Sequence, residues 1–151
     1  MSKELDRNAI CCELVEDVAR TTGEVRLRVT GASMLPAIWP GDVLTVKNCA
    51  DSDLQPGNIV LYRRDGRVTA HRIESLSPGR VNTKGDSQVN ADPPIAQSEI
   101  VGLVVSISRN GRTILPAQTK LQRFASSLLS RSDFLMRVAL GLRRRWQTRR
   151  N

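Results

Sequence analysis

Regularly spaced turn signals through the middle of the chain limit the folds that this sequence can adopt. Five short motifs combine Gly with Pro, Asp or Asn, and such motifs favour reversals of the backbone. They are Pro40-Gly41-Asp42, Pro56-Gly57-Asn58, Asp65-Gly66, Pro78-Gly79 and Asn110-Gly111. The segments between them predict short strands. These strands are expected near residues 24–30, 42–47, 58–63, 67–75, 80–84, 100–108 and 112–115.

The first predicted strand shows which kind of sheet to expect. Val25, Leu27 and Val29 alternate with charged residues, so one face of this strand is apolar and the other is expected to face solvent. Asp65-Gly66 between two strand-like runs is a strong signal for an antiparallel hairpin. The sequence therefore predicts a mainly β fold, with a compact antiparallel sheet that is either coiled on itself or closed into a barrel.

Helical segments are predicted on both sides of this β region. Before it, Cys11, Leu14, Val15 and Val18 follow helical spacing on one face, and Thr21-Thr22-Gly23 ends the helix. After it, an apolar stripe with flanking arginines predicts a basic amphipathic helix. The expected organisation is an N-terminal helix (1–23), a β domain (24–116) and a basic C-terminal helix or tail (117–151).

The net charge of +8 lies entirely in the C-terminal segment. Residues 1–115 carry 14 basic and 14 acidic residues, whereas residues 116–151 carry 9 basic residues and one acid. Either this segment is a solvated helix end with a disordered basic terminus, or residues 121–150 lie on an anionic membrane surface. Aromatic residues make up only 3% of the chain, so we expect no specific nucleic-acid partner that stacks bases on rings.

No cofactor and no metal site are expected from the sequence. The chain has one His and three Cys, and the cysteines Cys11, Cys12 and Cys49 form no Cys-x-x-Cys pair. The N-terminus lacks the apolar stretch of a secretory signal, and the sequence shows no clear transmembrane helix. We therefore expect a cytoplasmic or peripherally membrane-associated protein with reduced thiols.

The most informative segment for chemistry is Gly31-Ala32-Ser33-Met34-Leu35-Pro36, in which a strand end presents a serine. A serine hydroxyl is a poor nucleophile unless a base takes its proton. The single histidine, His71, lies 38 residues further on, and Asp86 and Asp92 follow it. A serine, a histidine and a carboxylate on one small β domain are the components of a nucleophile, a base and an orienting acid.

These residues resemble the type I signal peptidase clan of serine proteases, which also contains self-cleaving SOS-type repressors. The resemblance covers about residues 25–107 and rests on five ordered motifs. They are Gly31-Ala32-Ser33-Met34-Leu35-Pro36, Pro40-Gly41-Asp42-Val43-Leu44, Pro56-Gly57-Asn58-Ile59-Val60, His71-Arg72, and Thr83-Lys84-Gly85-Asp86 with Asp92. His71-Arg72 falls where bacterial members carry Lys-Arg, and a histidine there is typical of archaeal, endoplasmic-reticulum and some Gram-positive members.

The resemblance implies that Ser33 attacks a peptide carbonyl and that His71 acts as general base. It also implies that Asp92 orients His71, with Asp86 as the alternative partner or a structural support. The backbone N–H of Ser33 is the expected oxyanion donor. The chain departs from many signal peptidases at Gly31, where they have a serine that assists the oxyanion hole and where the self-cleaving repressors have glycine as here. It also departs at Asn58, where the clan's motif has an aspartate. We also expect no N-terminal transmembrane anchor of the kind that signal peptidases normally carry.

Three functions remain open from the sequence. The favoured one is a serine endopeptidase resembling signal peptidase I, which cuts an extended leader or signal-type peptide after small residues. The second is self-processing, or a catalytically silent peptide-binding module of the same fold. The third is a basic lipid- or nucleic-acid-binding protein in which the β domain is only a scaffold.

Overall fold

The computed structural model describes residues 2–116, with side chains described from residue 10 onward. One helix, α1, precedes eight strands, and their order along the chain is α1 (Ser2–Thr22), β1 (Glu24–Arg28), β2 (Val43–Lys47), β3 (Ile59–Arg64), β4 (Arg67–Ser77), β5 (Arg80–Lys84), β6 (Ile95–Ala96), β7 (Ile100–Arg109) and β8 (Arg112–Ile114). The predicted mainly β fold is confirmed. Every predicted strand is present, and the two-residue β6 is an addition. The predicted C-terminal helix, 117–151, lies outside the described residues.

All strand pairs are antiparallel, and the sheet is open. The strand order is β1-β2-β7-β3-β4-β5-β6, and β8 pairs with β7. Of the two predicted forms, a coiled sheet and a closed barrel, the structure therefore excludes the closed barrel. The long strand β7 joins the two halves of the sheet, because it pairs with both β2 and β3.

The hairpin between β3 and β4 sets the register of the strands that carry the candidate site. Asp65 and Gly66 have φ values of 51° and 69°, and positive φ at both central residues is what a type I′ hairpin turn requires. The turn pairs Val60 with His71 and Tyr62 with Thr69. Since side chains alternate between the faces of a sheet, His71 and Tyr62 lie on the same face.

A single packed face of α1 attaches the helix to the sheet. Cys12, Val15 and Ala19 are buried there, and Glu16 forms an ion pair with Arg63 of β3 over 3.0 Å. The predicted helix is confirmed, but the predicted apolar face is wrong. Cys11 is exposed, and Leu14 is 62% exposed. The sequence offers two overlapping apolar stripes that share Val15, and the packing of α1 against the sheet buries the stripe with Cys12 and Ala19.

The turn that carries Ser33 is tied to the sheet through a buried carboxylate. Asp42 is fully buried and accepts hydrogen bonds from the Trp39 backbone N–H at 2.8 Å and from the Arg109 guanidinium at 2.7 Å. Arg109 also donates to the carbonyl of Ala37 at 2.9 Å. The turn after β1 is therefore fixed to strand β7 by charge-assisted hydrogen bonds.

Within residues 2–116, the structure contains no helix of sufficient length and apolar character to cross a lipid bilayer.

Candidate active site

Ser33 lies just beyond β1, at the first position of a tight turn. The turn continues through Met34, whose carbonyl accepts the Ile38 backbone N–H at 2.9 Å. Met34, Leu35 and Ile38 are all buried, so the apolar side chains of the turn anchor it while Ser33 stays partly accessible. A partly accessible hydroxyl on a firmly packed turn is suited to meet a substrate without moving.

His71 joins the serine to a carboxylate. The Ser33 hydroxyl donates to Nε2 of His71 over 2.8 Å, and Nδ1–H of His71 donates to Oδ2 of Asp92 over 2.6 Å. His71 is 4% exposed, so both ring nitrogens find their partners inside the protein. The carboxylate fixes hydrogen at Nδ1 and leaves Nε2 as the acceptor that faces the hydroxyl.

Asp92 comes from the loop between β5 and β6, and several contacts hold it. Its backbone N–H donates to the Thr83 carbonyl at 2.8 Å. Its Oδ2 also accepts the Thr83 hydroxyl at 2.8 Å and the Tyr62 hydroxyl at 3.3 Å. The loop is therefore attached at the very residue that contacts the imidazole.

Asp86 contacts Arg72, whereas Asp92 contacts His71. Its carboxylate forms a bidentate pair with Arg72, with Nε to Oδ1 at 2.9 Å and Nη2 to Oδ2 at 2.8 Å. Both side chains are at most 5% exposed. Neighbouring residues of a strand point to opposite faces, so Arg72 and His71 reach different carboxylates. Arg72 also donates to the Gly57 carbonyl at 2.7 Å, which links β4 to the turn before β3.

The segment that follows β5 holds the backbone of Ser33. The Ser33 carbonyl accepts hydrogen bonds from both the backbone N–H and the hydroxyl of Ser87, each at 2.9 Å. A Cβ on Gly85 would lie 2.7 Å from the same carbonyl oxygen. Glycine is therefore needed at this position, because any side chain would push the serine turn away from the segment.

Tyr62 and Ser87 contact the site although no sequence motif names them, and Thr83 belongs to a named motif that assigns it no role. Burial raises the pKa of Tyr62 to about 12, the Asp92 carboxylate adds to the rise, and a hydrogen bond with Thr83 opposes it. The phenol therefore keeps its proton at neutral pH. Tyr62 could have been identified from the hairpin, because the Asp65-Gly66 turn sets the register of β3 and β4. This register places Tyr62 on the same face of the sheet as His71.

Two of the three cysteine thiols are poor nucleophiles. Burial raises the pKa of the Cys12 and Cys49 thiols, so these groups remain protonated and weakly reactive. Among the described residues, no group of three His, Cys, Asp or Glu side chains is arranged to hold a metal ion.

The fold and the site define a class of protein: a serine protease-type hydrolase, in which a hydroxyl, an imidazole and a carboxylate meet on an antiparallel sheet. Comparison with known families gives the same class. The family model described as Peptidase S24-like matches residues 8–105, which is more than half of the chain. The chain belongs to the Peptidase S24-like family. No curated protein matches it in sequence.

Proposed function

We propose that this protein is a serine endopeptidase that resembles signal peptidase I and cuts a leader or signal-type peptide after small residues. The observation that carries the proposal is the continuous hydrogen-bonded chain from the Ser33 hydroxyl through His71 to Asp92. Membership of the Peptidase S24-like family supports the peptidase class. The signal-peptide specificity is supported only by the resemblance of the sequence motifs.

In the proposed reaction, the Ser33 Oγ attacks the carbonyl carbon of the scissile peptide bond. Nε2 of His71 takes the hydroxyl proton as the new C–O bond forms, and it later gives this proton to the leaving amine. Asp92 stabilises the imidazolium that exists between these two steps. Water then attacks the acyl-enzyme, again with His71 as base, and releases Ser33.

The negative charge that develops on the substrate oxygen needs hydrogen-bond donors. We assign the first donor to the backbone N–H of Ser33, which is fixed in place because Ser87 holds the carbonyl of the same residue. Asp86 takes no part in the proton transfers of this scheme. Its proposed role is structural, since it neutralises the buried Arg72.

An extended polypeptide is the substrate form that this sheet suits. β1 stands at one end of the strand order and leads directly toward Ser33. Within the described residues, one edge of β1 is therefore without a strand partner, and an added strand can form main-chain hydrogen bonds there. Such pairing would carry a scissile bond along the sheet edge to the serine turn.

The test of this function is labelling with a serine-directed acylating probe, followed by peptide mapping and by cleavage of a peptide library. We expect the probe on Ser33, and we expect Ser33→Ala and His71→Ala to lose both labelling and cleavage. Ser106→Ala, which changes a serine on β7, is the matched control and should behave as wild type.

Self-processing is a second candidate, because the clan that the motifs resemble includes self-cleaving repressors. Intact-mass measurement separates the two functions. A self-processing chain shortens on incubation, whereas its Ser33→Ala variant keeps its full mass. A chain that stays intact but cuts added peptides supports the endopeptidase.

We also propose that residues 121–150 bind an anionic membrane surface, which would bring the site close to membrane-bound substrates. The support is the sequence alone: nine Lys or Arg and one acid between residues 116 and 151, together with Trp146. Flotation with anionic and with neutral liposomes tests this. Binding to anionic liposomes that survives deletion of residues 121–151 would contradict the proposal.

A further inference from the structure

We propose that Tyr62 is a positioning residue, which acts together with Thr83 to hold the Asp92 carboxylate in line with the imidazole of His71. This inference rests on the proposed serine-peptidase function and extends it by two residues.

Three donors meet at one oxygen atom. Oδ2 of Asp92 accepts Nδ1–H of His71 at 2.6 Å, the Thr83 hydroxyl at 2.8 Å and the Tyr62 hydroxyl at 3.3 Å. A carboxylate on a loop can rotate about its terminal torsion, which has a broad energy profile. Two hydroxyls that approach the same oxygen restrict this rotation, so the oxygen stays where the imidazole needs it.

The two hydroxyls are built into the sheet and not into the loop. Tyr62 is on β3 and 3% exposed, and Thr83 is on β5 and fully buried. These strands pair with β4 on either side of His71, so the base and both supports belong to one rigid sheet. Strand-borne groups hold a geometry more accurately than loop-borne groups.

The packing of the Tyr62 ring does not account for the presence of its hydroxyl group. The ring stands edge-on to the imidazole, with the centroids 6.2 Å apart, and a phenylalanine would supply the same packing. A buried hydroxyl costs free energy unless it is hydrogen-bonded. The Tyr62 hydroxyl donates to Oδ2 of Asp92 at 3.3 Å and also lies 3.4 Å from Nδ1 of His71, which itself donates to Asp92. The phenol can donate throughout the neutral range because its pKa is raised to about 12.

The functional test measures the rate at which a serine-directed probe acylates Ser33, since this rate depends on the activated hydroxyl and not on a particular substrate. We expect Tyr62→Phe and Thr83→Val each to lower the maximal acylation rate about tenfold, while the probe concentration at half-maximal rate stays unchanged. Thr83→Ser keeps the hydroxyl and should restore the rate. Thr45→Val on β2 makes the same chemical change far from the site and is the matched control.

A second measurement reports the contact without any reaction. Tyr62 is the only tyrosine of the chain, so the phenolate absorbance follows this one group. Asp92→Asn removes a negative charge beside the phenol and should lower its titration midpoint, because the Asp92 carboxylate helps to raise the Tyr62 pKa. An unchanged midpoint would overturn the proposed contact.

The two measurements separate the ways in which the inference can fail. If wild-type Ser33 acylates and folded Tyr62→Phe acylates at the same rate, the positioning role is wrong and the peptidase proposal stands. If wild-type Ser33 is not acylated at all, the peptidase proposal fails and the positioning role falls with it. If Thr83→Ser is as slow as Thr83→Val, the hydroxyl of Thr83 is not the cause of the loss.

Discussion

Asp86 and Asp92 bind two consecutive residues of β4: Asp86 pairs with Arg72, and Asp92 accepts a hydrogen bond from His71. The alternation of side chains along the strand separates the two carboxylates, although only five residues lie between them. Asp92 thus belongs to the hydrogen-bonded chain of Ser33 and His71, and Asp86 neutralises the buried Arg72.

This difference predicts different effects when each carboxylate is replaced by an amide. Asp92→Asn should lower acylation or cleavage by at least about a hundredfold while the fold survives, because the amide no longer stabilises the imidazolium. Asp86→Asn should lower the free energy of unfolding by about 3 kcal/mol, because Arg72 is left buried without its counter-charge. Denaturant unfolding and probe acylation, measured on both variants, check this. Equal loss of activity at unchanged stability in Asp86→Asn would contradict the assignment.

Two glycines near Ser33 give a matched pair of steric predictions. Gly85→Ala places a Cβ 2.7 Å from the Ser33 carbonyl oxygen, so the serine turn must shift. We expect a loss of about 2 kcal/mol in unfolding free energy and a strong loss of Ser33 acylation. Gly31→Ala is the control, because a Cβ at Gly31 meets no atom within 4 Å. Wild-type acylation in Gly85→Ala would contradict the close approach.

Gly31 also allows the proposed oxyanion hole to be strengthened. Many signal peptidases carry a serine at this position, and the open space around Gly31 leaves room for one. We expect Gly31→Ser to keep its stability and to raise the acylation rate several-fold, since an added hydroxyl can donate to the developing oxyanion. Gly31→Ala isolates the effect of the Cβ alone. A serine variant no faster than the alanine variant would show that the hydroxyl does not reach the oxyanion.

Tyr62 predicts a loss of stability in alkali. Its pKa is raised from 10.0 to about 12 in the folded chain, so between these values the unfolded chain releases the phenol proton and the folded chain retains it. The free energy of unfolding therefore declines as the pH rises from 10 toward 12. Tyr62→Phe lacks this contribution, and its unfolding free energy should decline less over the same window. Denaturant unfolding of both proteins across this range is the measurement, and parallel declines would contradict it.

The strands were predictable from local signals. Glycine-containing turns, such as Asp65-Gly66 and Asn110-Gly111, separate segments in which apolar and polar residues alternate. The apolar face of α1 was not predictable, since Val15 fits both of two overlapping helical stripes and only the packing against the sheet chooses between them. Similarly, the open form of the sheet depends on how far the strands curl, which single-residue patterns do not encode.

The sequence motifs name three residues of the candidate site but neither its supporting residues nor all of its pairings. Ser33, His71 and Asp92 are named by sequence motifs, and the structure brings them into contact. The partner of Asp86 could not be assigned from the sequence, because the loop between β5 and β6 brings two carboxylates close to β4. The role of Ser87 was also hidden, since its contact with Ser33 spans 54 positions of the chain.

The short stretch from Thr83 to Asp92 contacts Ser33 at one place and His71 at another. Ser87 donates a hydrogen bond to the Ser33 carbonyl, and Asp92, at the far end of the stretch, accepts one from His71. We therefore expect that a backbone shift in this stretch displaces Ser33 and separates Asp92 from His71 at the same time.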